Sequence, residues 1–266
     1  MATMPMFPLG TVLMPTGILP LHVFEPRYRR LVEDCLAAPV PEFGVAMIER
    51  GSEVGGGDHR SRIATIARIV QGGQYPDGRY GLITIGTRRV QITEWLPDDP
   101  YPIADVVDWP DSAAGESVSE RALSLVLSDV RRVAALAIEL GEAQGDLDVE
   151  LSDDATIASY QLANLAPFGA SDRFALLAAP GPLKRVSLLR RFLAEREDSL
   201  RFQLLNGQRR SSGGLDPDDF PDEFGDEFGG DFNGGSDGGS DRGSDGGSDG
   251  DGDGGDAPDD GSGGAS

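Results

Sequence analysis

The chain has 266 residues and a formal net charge of −22, a length that suits one or two domains. Residues 213–266 hold 17 of the 45 acidic residues and only Arg242 of the 23 basic ones, which leaves −16 on that segment and −6 on the remainder; such a balance repels phosphate and offers no basic stripe, so it argues against a nucleic-acid binder. Cys35 is the sole cysteine, so no intramolecular disulfide can form; with no basic-then-apolar leader and no apolar run near the ~20 residues of a membrane helix, a cytoplasmic location and no membrane contact are expected.

The opening stretch from Met6 to Arg30 is apolar but broken by Pro8, Pro15, Pro20 and Pro26. Repeated prolines forbid a continuous helix and confine strands to short or edge positions. Short strands, a sharp corner and a helix from Pro26 to about Ala38 are expected, because proline is pre-organised for a first helical turn. Phe43–Ile48 and the β-branched run Ile63–Val70 read as strands. Pro76-Asp77-Gly78 is a tight-turn signal. Arg79–Ile85 and Arg88–Trp95 alternate as a hairpin pair, with Gly86-Thr87 at its turn. Tyr101–Trp109 is a further strand. Many short strands with Gly/Pro corners imply a small barrel or pseudo-barrel.

From Glu116 the period becomes helical. Ser117 and Glu120 have capping-box spacing. Leu123, Val126, Leu127, Val130, Val133, Ala134, Ala137 and Leu140 form one stripe, and Gly141 is the expected stop. Asp153 or Asp154 caps a second helix that ends before Pro167. A third spans about Asp172–Ala178. A fourth runs from Pro182 to about Leu205, with Val186, Leu189, Leu193, Leu200 and Leu204 on one face. Beyond it, residues 207–266 are rich in Gly, Asp and Ser and are expected to be disordered, since they cannot bury enough apolar surface. Within this tail Phe220, Phe224, Phe228 and Phe232 recur every four residues among acids, a candidate linear interaction motif set against an inert, solubilising tail.

No catalytic constellation emerges, and no cofactor or metal is expected. His22, His59 and Cys35 lack close ligand spacing. Cys35 falls on the first helix between apolar neighbours, as an inert thiol does. Lys184, the single lysine, has no nucleophile motif around it. The loop Gly51–Asp58 carries three consecutive glycines, but no helix follows and no GxxxxGK[ST] occurs, so a hairpin loop is expected rather than a phosphate cradle.

Taken in order, FPLG, LPLH, FEPRYR, the EVGGGD loop, DGRYGLITIGTRRVQI and YPIADV resemble the Lon protease N-terminal, substrate-binding domain, with specific strings over about residues 4–110 and a looser likeness to about 205. The resemblance implies an α+β fold: a PUA-like β pseudo-barrel over residues 1–115, a helical subdomain over 116–206, then the disordered acidic tail over 207–266. It marks a signature corner, Pro20, His22, Phe24, Glu25, Pro26, Arg27 and Tyr28, expected to be chiefly structural, and a signature loop, Glu53, Val54, Gly55, Gly56 and Gly57. It implies a non-enzymatic module without the ATPase and protease domains. Such a module would bind unfolded or damaged protein segments in protein quality control and could dock on a separate ATP-dependent protease. The alternative is a PUA-like protein that binds nucleic acid or a small ligand.

Overall fold

The computed structural model describes residues 1–50, 59–112, 118–142 and 147–212, with side chains as far as Asn206. Strands come first: β1 (Ala2–Leu9), β2 (Ile18–Val23), β3 (Glu42–Arg50), β4 (His59–Gln74), β5 (Tyr80–Leu96) and β6 (Ile103–Asp108), with α1 (Pro26–Ala37) between β2 and β3. Four helices follow: α2 (Glu120–Glu139), α3 (Ala155–Leu165), α4 (Ala170–Leu177) and α5 (Pro182–Ser212). The fold is therefore mixed α+β, and both groups of elements lie in one unit, Met1–Gly214.

The strands form one sheet ordered β2-β5-β4-β3-β1-β6, and β5 also pairs with β6. That extra pairing closes β5, β4, β3, β1 and β6 into a ring, with β2 added outside the first half of β5. All ring pairs are antiparallel except β1 with β3, which α1 separates in sequence. Every ring strand sends residues to one small cluster: Met6, Ala46, Ala64, Ile66, Val90, Ile92, Ala104 and Val106. The alanines suit a ring this narrow, because side chains must fill its interior. Gly44 meets the same constraint, since a Cβ there would overlap the Met6 side chain.

α1 starts as expected, with Pro26 in its first turn. It buries Tyr28, Leu31, Val32 and Cys35 against Phe7, Phe43, Val45 and Leu82, a second cluster outside the ring. The third cluster joins the helices to Val12 and Met14 of the loop between β1 and β2.

Two expectations are corrected. Arg79–Ile85 and Arg88–Trp95 are not a hairpin pair but one strand, β5, of 17 residues. Its antiparallel partner is β4, through the Pro76-Asp77-Gly78 turn, where Gly78 adopts φ 84°. Gly86 sits inside β5 because the chain passes close there. Thr16 donates its N–H to the Gly86 carbonyl and Gly86 donates to the Gly17 carbonyl, each at 2.8 Å. A Cβ on Gly86 would overlap the Met14 carbonyl oxygen. A strand glycine thus marks a close backbone approach, with a bulge in β5 itself at the neighbouring Thr87. The second correction is the cap of α2. Ser119, not Ser117, occupies it and accepts from the Ala122 N–H; Ser117 lies outside the described residues.

The other helical expectations hold. α2 buries Leu123, Val126, Val130, Val133, Ala134 and Ala137. It ends at Gly141 (φ 74°), with Glu142 N–H on the Ala137 carbonyl and Gly141 N–H on the Ile138 carbonyl, a Schellman closure. Asp154 caps α3 by accepting from Thr156 and Ile157. α4 starts two residues earlier than expected, and α5 runs on to Ser212.

Candidate functional site

β2 is an edge strand, bonded only to β5 among the described residues. Its residues alternate: Leu19, Leu21 and Val23 turn inward, while Ile18, Pro20 and His22 are exposed. Pro20 brings no N–H to the edge, which blunts it against strand addition. After Val23 the chain turns a corner in which the signature residues divide into two sets. Tyr28 is buried and stacked on Phe7, ring centroids 4.1 Å apart. Arg27 donates its Nε to Glu25 at 3.0 Å and lies over the Tyr28 ring at 4.6 Å. Phe24, between them, is 56% exposed.

Beside the corner the sheet face is open. The register places Pro20 opposite Ile83 and Ile83 opposite Gln71; in the next row His22 faces Gly81, and Gly81 faces Gly73. Two glycines side by side leave a trough, with open space where a Gly73 side chain would stand. Tyr75 arches over Gly81 and stacks on His22, centroids 5.6 Å apart. The groove has a volume of ≈ 550 Å³. A smaller recess of ≈ 180 Å³ shares Pro20, Leu21 and His22 and continues toward Phe24 and Glu25. Ile18 (69% exposed), Val70, Tyr75 and Ile83 add apolar surface around it. The structure therefore brings Pro20, His22, Phe24 and Glu25 to one recess and places Tyr28 beneath it. The loop Glu53–Gly57 and Phe220, Phe224, Phe228 and Phe232 lie outside the described residues.

Sequence reasoning missed the far wall of the groove. Gln71-Gly72-Gly73-Gln74-Tyr75 was its signal, since paired glycines ending in an exposed aromatic mark an open patch of strand. It also missed a buried ionic centre. Arg185, fully buried, donates to both Asp111 carboxylate oxygens (2.8 and 3.0 Å), to Ser159 Oγ and to the Tyr160 hydroxyl. Arg89 reaches the same carboxylate at 3.0 Å and the carbonyls of Trp109, Leu177 and Ala179. Burial pushes the Tyr160 hydroxyl up and the Arg89 guanidinium down from their ordinary ranges.

Groups with potential chemistry lie apart from each other. Burial, with Asp34 adding to it, pushes the Cys35 thiol up to about 12. Lys184 sits in the first turn of α5 and His59 at the start of β4. Among the described residues no three His, Cys, Asp or Glu side chains cluster to hold a metal, and no helix is long and apolar enough to cross a membrane.

Residues 3–195 match the family of the ATP-dependent protease La (Lon) substrate-binding domain. The Lon protease of Flavobacterium johnsoniae is 28% identical over 138 residues, 52% of this chain and 17% of that protein. Lon protease 2 of Herpetosiphon aurantiacus is 31% identical over 160 residues, 54% of this chain and 19% of that protein. The chain thus spans under a fifth of the length of these relatives. Among solved structures, a Lon N-terminal domain protein from Xanthomonas campestris aligns with a TM-score of 0.52 at 27% identity, covering 71% of this chain and 97% of that one. The N-terminal domain of Mycobacterium avium complex Lon protease shares the fold at a TM-score of 0.50 and 17% identity, covering 73% and 98%. From its first strand through the first half of α5, the chain belongs to the Lon substrate-binding domain family.

Proposed function

We propose that the chain is a non-catalytic module that holds unfolded or damaged protein segments in the β2 groove for an ATP-dependent protease. The observation that carries this reading is the open, apolar-edged groove on the signature corner, in a family named for substrate binding. Unfolded segments differ from folded surfaces in exposing apolar side chains, and Ile18, Phe24, Val70 and Ile83 offer such groups a place to leave water. Pro20 favours capture through side chains over strand addition. In this reading Pro20, His22 and Phe24 touch the client, while Glu25, Arg27 and Tyr28 hold the corner. The closed ring supports a PUA-like pseudo-barrel over residues 1–115, followed by the helical part over 116–206 and an acidic tail over 207–266.

The test is fluorescence anisotropy with labelled, reduced and alkylated casein. The paired changes Phe24→Ser and Ile83→Ser should weaken binding by about tenfold while the melting temperature stays near wild type, because both side chains are exposed. Unchanged affinity would remove the groove from the reading. ATP and casein together should give no turnover with the pure chain, and a single-stranded RNA of similar size should not compete.

A further inference from the structure

A second surface lies where α2 and α5 begin. The two helices run side by side in the same direction: Val118, Ser119 and Ala122 share a groove with Leu183, Val186 and Arg190, and further along Arg132 bonds Glu197 at 2.9 and 3.0 Å. The groove measures ≈ 480 Å³. Its floor is the buried Val186, and its apolar rim is exposed, with Leu183 at 51%.

The charges on this face differ from those elsewhere on the same helices. Arg131, Arg132, Arg185, Arg191, Arg196 and Arg201 each have a carboxylate partner. Arg121, Lys184 and Arg190 have none among the described residues, and all three are exposed; Arg190 lines this groove, and Arg121 and Lys184 are next in sequence to the lining residues Ala122 and Leu183. Glu120 is the one acidic side chain in the first turn of α2. A locally positive, apolar groove therefore stands on a chain whose net charge is −22. The aligned starts of two helices add to the positive potential.

We propose that this groove docks an acidic protein segment that carries one or two bulky apolar anchors. Leu183 and Val186 take the anchor, and Arg190, with Arg121 and Lys184 beside the lining residues, meets the flanking carboxylates. The apolar rim decides against nucleic acid, whose affinity comes from neutralising many phosphates. Three cations and an exposed leucine over an apolar floor fit a short acidic peptide better than a polyanion. The site is separate from the β2 groove and does not depend on the client-binding reading.

The experiment uses the full chain and a short fluorescein-labelled peptide of Asp and Glu with two Phe anchors. Two control peptides replace the acids with Lys or the Phe with Ser. The acidic Phe peptide should bind, should weaken as salt rises, and should lose about tenfold in affinity with the charge reversals Lys184→Glu and Arg190→Glu together. Leu183→Ser should weaken it as well, while Phe24→Ser should not. Circular dichroism melting of each variant verifies folding, which exposed positions should leave intact. Equal binding by the charge-reversed variant, equal binding of the Lys peptide, or preferential capture of a DNA oligonucleotide would each overturn the proposal.

Discussion

Phe24 and Tyr28 stand four residues apart in one motif, yet one is exposed and the other is in the core. Their chemistry is nearly identical, so composition could not separate them; the turn after Val23 and the first turn of α1 do. Tyr28→Ala should therefore cost ~3–5 kcal/mol, the usual range for emptying a buried aromatic site, and urea unfolding would measure it. Cys35 was legible as a buried thiol because it lies between Val32 and Leu36 on the first helix. Its thiol is raised from 9.0 to about 12 by burial and then by Asp34. Tyr101 is raised from 10.0 to about 12 by burial, with its hydrogen bond to Asp34 adding. In both, the folded state binds the proton more tightly than the unfolded state. Their stabilisation is complete below about pH 9 and is lost as pH rises toward 12. Glu42 has the opposite sign: burial would raise its carboxyl, but hydrogen bonds from Arg88 and Arg68 outweigh burial and lower it below 4.5. Its contribution is present above that value and is lost on acidification. Urea midpoints should thus stay level from neutrality to about pH 9 and fall beyond, and Cys35→Val should reduce the alkaline loss. The native thiol should also resist iodoacetamide at pH 8 and react once urea is added; rapid native alkylation would contradict its burial.

At the scale of elements, most helices were legible because their caps and stops are local. Asp154, Gly141 and Pro182 each act within a turn of themselves. β5 was not, because a Gly-Thr step looks the same in a turn and at a crossing of two backbones. What distinguishes them is the loop at Met14–Gly17, some 70 residues earlier, which no local pattern reveals. Gly86 and Gly73 make the contrast testable within one sheet. A side chain at Gly86 meets the Met14 carbonyl, a backbone atom that cannot swing away, whereas one at Gly73 meets nothing within 4 Å. Gly86→Ala should lower stability by ~2 kcal/mol or more, in the range of strain and overpacking. Gly73→Val should be neutral or slightly stabilising, since it supplies a strand-favouring residue without a clash. Thermal melts of the two variants decide the matter, and a Gly86→Ala protein as stable as wild type would refute the close approach.

For the whole molecule, the decisive link between strands and helices is the pair of guanidinia on Asp111. Arg89 comes from β5, Tyr160 from α3 and Arg185 from α5, so three elements distant in sequence meet at one carboxylate. Nothing local could announce it, because arginines and aspartates default to the surface. Its charge balance predicts an order of effects. Asp111→Ala leaves two buried cations without a counter-charge, and breaking such a centre costs ~3–5 kcal/mol. Arg185→Met leaves Asp111 paired with Arg89 at 3.0 Å and fills similar volume, so it loses hydrogen bonds to Ser159 and Tyr160 but strands no charge. Asp111→Ala should therefore be the more destabilising by urea titration. It should also split the single unfolding transition into two, because the helices and the strand ring lose the group that ties them together. If Arg185→Met costs as much as Asp111→Ala, or if both variants still unfold in one step, the carboxylate is a local contact and the joint rests on the apolar packing of Val12 and Met14 against the helices.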